Sequence, residues 1–90
     1  MRQRREIHYS GRVQGVGFRY SAKSIAEGFA VVGYVQNLAD GRVKLVAEGT
    51  PAELDSFLAS VKNDLGRFIN DQSVEIHSEQ GEFQDFEIRT

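Results

Sequence analysis

Val31-Val32-Gly33-Tyr34-Val35-Gln36-Asn37, the pair Asp40-Gly41, and Arg42-Val43-Lys44-Leu45-Val46-Ala47-Glu48 together decide the fold. The first run is apolar until it ends in polar Gln36-Asn37. Asp-Gly is the dipeptide that type I′ turns favour, because both central residues need positive φ. The stretch therefore reads as a hairpin of two strands. Working back toward the N-terminus, Ala22, Ile25, Ala26 and Phe29 fall at i, i+3, i+4 and i+7, the stripe of a helix over about 19–29 that ends near Gly28. Before it, Ile7, Tyr9, Gly11 and Val13 alternate with His8, Ser10 and Arg12, the period of a half-buried strand. Working forward, Thr50-Pro51-Ala52-Glu53 is a capping box with Pro at the first helical position, where its missing N–H costs nothing. Leu54, Phe57, Leu58, Val61 and Leu65 make the second helical stripe. Gly66 to Ser73 reads as a polar connection, and Val74-Glu75-Ile76-His77 and Phe86-Glu87-Ile88-Arg89 as short strands that close the sheet. The order β-α-β-β-α-β is the split-βαβ pattern of a ferredoxin-like α+β sandwich, an antiparallel sheet with two helices on one face. Residues 1–90 form one domain, and such a fold implies no function by itself.

Composition narrows the chemistry. The chain has 40% hydrophobic and 27% charged residues, enough apolar material for a packed core, and no Cys. Disulfides, thiolate zinc sites and cysteine nucleophiles are excluded together, and two lone histidines, His8 and His77, make no metal site. They read as strand surface residues. No apolar run approaches the ~18 residues of a membrane span, and Arg2, Arg4 and Arg5 lead into Glu6-Ile7-His8 rather than an apolar signal-peptide core. The expectation is a soluble, cytoplasmic monomer without cofactors, its leading arginines a solvated, frayed tail. Residues 1–45 carry eight Lys/Arg against three Asp/Glu, and residues 46–90 carry three against ten. An anionic ligand would meet the first half, or the charges simply cover solvated faces; a net charge of −2 argues against a dedicated nucleic-acid binder.

Between the first strand and the first helix lies Gly11-Arg12-Val13-Gln14-Gly15-Val16-Gly17-Phe18-Arg19. Its glycines permit tight positive-φ turns, whose successive amides point inward as a nest, and the following helix N-terminus adds to the same positive field. An anion suits that arrangement, as does a plain tight connection. There is no Gly-Lys-Ser/Thr and no dinucleotide glycine pattern, so this is neither an NTPase nor a dehydrogenase loop. Arg19 sits at the positive end of the helix dipole, an awkward place for a cation unless an anion joins it, although a solvated Arg covering apolar surface is the plainer alternative. In a split-βαβ sheet the first two strands run parallel with the third between them. Two strand spacings of about 4.8 Å then put Arg19 and Asn37 roughly 10 Å apart, room for one phosphate and one water. Asn37 close before an Asp-Gly turn is equally well explained as turn chemistry.

The segments Gly11-Arg12-Val13-Gln14-Gly15-Val16-Gly17-Phe18-Arg19, Gly33-Tyr34-Val35-Gln36-Asn37 and Asp40-Gly41-Arg42-Val43 closely resemble the signature segments of acylphosphatases. The likeness continues more loosely through the second helix to Phe86-Glu87-Ile88-Arg89. It implies a ferredoxin-like enzyme that hydrolyses the carboxyl-phosphate bond of acyl phosphates without a metal, giving a carboxylate and inorganic phosphate. By motif position the catalytic pair is Arg19 and Asn37. Phosphate binding falls to Gln14, Gly15, Val16, Gly17, Phe18 and Arg19 through the loop amides and the Arg19 side chain, while Asn37 orients the attacking water. The sequence departs from the family pattern at Tyr34, usually Trp, at Thr90, often aromatic, at Leu38, where some members carry a hydroxyl, and in the 66–73 connection, which lacks a frequent Gly-Pro segment.

The reaction fits the residues at hand. A carboxylate leaves with a conjugate-acid pKa near 4–5 and needs no general acid, whereas an alkoxide would require an acid or a metal. Because Arg stays charged and Asn never ionises, a broad pH profile is expected. The alternative is a non-catalytic module that binds phosphate or carbamoyl phosphate, as in acylphosphatase-like domains of larger maturation enzymes; intact Arg19 and Asn37 on a free-standing chain favour the enzyme. An RNA-binding ferredoxin-like domain fits poorly, because Arg42 to Glu48 offers no aromatics on which bases could stack.

Overall fold

The computed structural model describes residues 1–90. The chain runs β1 (Gln3–Gly11), α1 (Phe18–Ala26), β2 (Val32–Asn37), β3 (Val43–Gly49), α2 (Pro51–Leu65), a single 3₁₀ turn (Gly66–Phe68), β4 (Ile69–Ser78) and β5 (Phe86–Arg89). The strands form one sheet in the order β4-β1-β3-β2-β5. β3 is antiparallel to both β1 and β2, so these two run parallel with β3 between them, as the ferredoxin-like reading requires. β4 pairs antiparallel to β1, whereas β5 adds a parallel partner to β2 and makes the five-stranded sheet mixed.

One face of the sheet carries the core. Ile7, Tyr9, Val35, Val43, Leu45 and Ala47 from the strands pack with Phe18, Ala22 and Ala26 of α1 and Leu54, Phe57, Val61 and Leu65 of α2. The i, i+3/i+4 spacing of each helix stripe is what turns these residues toward the sheet. Phe57 sits at the centre, 5.5 Å from the Phe86 ring in an edge-on arrangement and 6.2 Å from Phe29. Half of the predicted capping box forms: the Glu53 amide donates to Thr50 Oγ1 (3.3 Å), whereas the Glu53 carboxylate accepts from the Ala30 amide (2.7 Å) rather than from the Thr50 N–H.

The other face is covered at one end by residues 79–85, which cross from β4 to β5. Phe83 meets the Tyr34 ring at 5.8 Å, and the guanidinium of Arg89 lies 3.8 Å from the centre of that same ring. Tyr34 thus sits in an aromatic and cationic environment. Beneath the strap Glu48 is fully buried, accepting from the amides of Gln80 (2.9 Å) and Gly81 (3.1 Å), with Arg4 Nη1 at 3.5 Å.

Two expectations are corrected. The leading arginines are not a frayed tail: β1 begins at Gln3, Arg4 pairs across the sheet with Glu48, and Arg5 holds Asp55 of α2 at 2.7 Å. Their partners lie 44 and 50 residues away, outside the reach of local pattern. Residues 66–73 are not a simple polar connection, because after the 3₁₀ turn β4 already begins at Ile69 and its ladder with β1 takes up Asp71, Gln72 and Ser73. β4 is an exposed edge strand, and residues 69–73, unlike Val74-Glu75-Ile76-His77, show no alternation that would mark their backbone pairing.

Candidate functional site

The site is built where β1 hands the chain to α1. Gly15 and Gly17 both have φ of 79°, in the left-handed region where a side chain would be strained. These two turns reverse the chain onto the start of α1 with Gly17 as its N-cap. Val13, fully buried, and Phe18, its ring tilted at 50° against Tyr9 with centroids 5.1 Å apart, pin the two ends of the turn into the core. Burial pushes the Tyr9 phenol above its ordinary pKa, so it remains neutral. The Gln14 side chain fixes the loop from outside: its Nε2 donates to the carbonyls of Leu38 (2.8 Å) and Arg42 (3.0 Å) in the β2–β3 connection.

The two helix N-termini differ. At α2 a threonine caps and an acidic residue occupies the first turn, whereas α1 has no side-chain cap and no acidic residue in its first turn. None of the six backbone amides from Gln14 to Arg19 donates to a group of the chain. The positive end of the helix and its preceding turn are therefore uncompensated by the protein.

A cleft of about 230 Å³ opens at this point, lined by Val13, Gly15, Gly17, Phe18, Arg19, Tyr20 and Asn37. Asn37, the last residue of β2, shares the side of the sheet that Val35 buries, and its side-chain amide has no protein partner. Arg19 is partly exposed, and its Nη1 makes one long contact, 3.4 Å, to the carbonyl of Arg89 at the end of β5. The parallel neighbours β2 and β5 thus both end at the cleft. Its chemistry is one guanidinium, one carboxamide and a set of amides, all able to donate to an oxyanion, with no carboxylate among the lining residues.

Of the residues predicted from sequence, Arg19, Asn37, Gly15, Gly17 and Phe18 meet at this cleft. Gln14 and Val16 do not line it: Gln14 spends its side chain on the β2–β3 connection, and Val16 packs against the core. What they leave free beside it is their backbone amides. Sequence reasoning missed Tyr20, which lines the cleft, and the carbonyl of Arg89 that steadies Arg19. An aromatic residue outside the helix stripe signals the first; nothing local signals the second.

Similarity to known proteins points the same way. The family model described as Acylphosphatase matches residues 5–88. A curated acylphosphatase of Oceanobacillus iheyensis is 36% identical over 86 residues, covering 93% of this chain and 94% of that one. One from Archaeoglobus fulgidus is 52% identical over 58 residues, 64% of this chain and 65% of its relative. The crystal structure of the Bacillus subtilis acylphosphatase superposes with a TM-score of 0.86 at 38% identity, covering both chains completely. Full-length HypF, in its phosphate- and nucleotide-bound form, matches with a TM-score of 0.84 at 29% identity, and there the likeness spans all of this chain but 12% of the other. With a matching fold, a family model that takes in nearly the whole chain and relatives aligned along most of its length, this chain belongs to the acylphosphatase family of hydrolases.

Proposed function

We propose that the chain hydrolyses acyl phosphates without a metal, with the β1–α1 loop as the phosphate-binding element. The single observation behind this reading is the run of six amides, Gln14 to Arg19, that have no acceptor in the chain and lie beside the cleft of Arg19 and Asn37. The amides and the Arg19 guanidinium hold the nonbridging phosphoryl oxygens and neutralise the charge that builds on them. Asn37 orients a water in line with the bond to the carboxylate. Water attacks phosphorus, the P–O bond to the acyl group breaks, its electron pair departs on the carboxylate, and the proton of the water passes to the phosphate product. The leaving group is a weak base and needs no protonation, so the absence of a carboxylate or histidine in the cleft is consistent with the chemistry. Catalysis is then positioning and electrostatics. Inorganic phosphate is the product, and neither nucleic acid nor a membrane enters the reaction. The protein works as a cytoplasmic monomer.

A second reading, a phosphate- or carbamoyl-phosphate-binding module without turnover, draws on the likeness to a segment of HypF. One experiment separates the two. Hydrolysis of an aromatic acyl phosphate is followed in chelator-treated buffer, with Asn37→Ala beside the wild type. The enzyme reading requires turnover that survives chelation and falls about 10²-fold or more in the variant. Wild-type rates no faster than spontaneous hydrolysis favour the binding module.

A further inference from the structure

Tyr20 is 78% exposed, whereas the other two tyrosines, Tyr9 and Tyr34, are buried at 2% and 6%. Core packing does not account for its position. α1 buries Phe18, Ala22 and Ala26, and Tyr20 lies two residues from Phe18 and from Ala22, about 200° around the helix from each. Tyr20 nevertheless lines the cleft with Arg19 and Asn37. It belongs to the first turn of α1, where side chains lean back toward the helix N-terminus and so toward the Gly15–Gly17 turn. The remaining lining combines buried Val13 and Phe18, two glycines, one cation and one amide, so Tyr20 is the sole large exposed apolar surface at the mouth.

Resting on the hydrolase reading above, we infer that Tyr20 is a specificity-determining residue that receives the acyl group of the substrate. Polar donors take the phosphoryl end, and the ring offers a flat, uncharged face for a planar or apolar acyl group. Being neutral, it neither repels the departing carboxylate nor retains it as a cation would. Acyl phosphates with aromatic or extended apolar acyl groups are therefore preferred over acetyl phosphate.

The test compares wild type, Tyr20→Ala and Tyr20→Phe in binding benzoylphosphonate, acetylphosphonate and inorganic phosphate, inert probes whose affinity is read without turnover. Wild type should bind benzoylphosphonate roughly three- to tenfold more tightly than acetylphosphonate. Tyr20→Phe should keep that preference, Tyr20→Ala should abolish it, and phosphate affinity should stay within twofold in all three. A preference that persists in Tyr20→Ala, its absence from the wild type, or a parallel loss of phosphate binding would each overturn the assignment. Wild-type hydrolysis of benzoyl phosphate is measured alongside: no turnover with the binding preference intact would sink the hydrolase reading and leave the role of Tyr20 standing.

Discussion

Two regions of the molecule use the same donors and end differently. Under the strap, the amides of Gln80 and Gly81 and the guanidinium of Arg4 surround an oxyanion that the chain supplies itself, the buried carboxylate of Glu48. At the β1–α1 turn, the amides of Gln14 to Arg19 and the guanidinium of Arg19 have no such carboxylate. Both turns contain a left-handed glycine, Gly81 in one and Gly15 and Gly17 in the other. What distinguishes the structural cradle from the one we propose to bind phosphate is therefore whether a side chain of the protein fills it. Glu48 pairs with Val32 at the far end of β2 from Asn37, five residues or about 16 Å away. The two cradles lie on opposite faces of the sheet, so each can be altered alone.

The largest effects should fall on opposite observables. Arg19→Ala should lower acyl phosphate turnover by about 10²–10³-fold and leave the melting temperature without ligand nearly unchanged. Phosphate at a hundred times its dissociation constant should stabilise the wild type by about 2.7 kcal/mol, and the same concentration should do little for the variant. Turnover close to wild type in Arg19→Ala would break the comparison at its functional end. Glu48→Gln inverts the pattern. Both carboxylate oxygens accept an amide N–H, so the new carboxamide must turn its own NH₂ toward a buried donor, and Arg4 loses its buried counter-charge while keeping exposed Glu82 at 3.1 Å. The expected loss is on the order of 3 kcal/mol, about 12–24 °C in Tm, with turnover per folded molecule retained. Thermal melts and kinetics below the transition check it; a variant as stable as wild type would show that Glu48 is not a structural anion.

These cradles also mark where the sequence is readable. The order of elements follows from periodicity, because Ala22, Ile25 and Ala26, or Leu54, Phe57 and Val61, can share a face only on a helix. The meeting of Arg19 with Asn37 follows from topology once β1 and β2 are parallel around β3. Glu48 is different. In a strand it reads as a solvent-facing polar residue, and its burial depends on a strap more than 30 residues later. The first half of β4 lacks a pattern for a related reason, since an edge strand exposed on both sides is specified by backbone pairing with β1 rather than by its side chains. Gln14 shows the limit within the site itself. The motif marks its position, yet only the fold shows that its side chain is committed to the carbonyls of Leu38 and Arg42.

The smallest expected effect comes from a third version of this chemistry, set in water. In the β2–β3 turn the Asp40 carboxylate accepts from the Arg42 amide (3.0 Å) and from Arg42 Nε (2.9 Å). The amide bond foremost, then the side-chain bond, hold its carboxyl below the usual aspartate range. A carboxyl lowered on folding stabilises the folded state above the unfolded pKa of about 3.9, and the stabilisation disappears as pH falls through the lowered folded value. Asp40→Asn should therefore melt slightly below wild type at pH 7, and the gap should close on acidification and shrink in high salt. Melting curves across pH 2–7 at two ionic strengths measure this. The turn also presents the carbonyls that hold Gln14, so a KM raised in step with the lost stability would mean that this exposed cradle helps to set the phosphate loop. A gap that survives at pH 2 would show that the turn is held by its backbone geometry and not by the carboxylate, leaving burial as the condition under which an amide-and-arginine cradle matters.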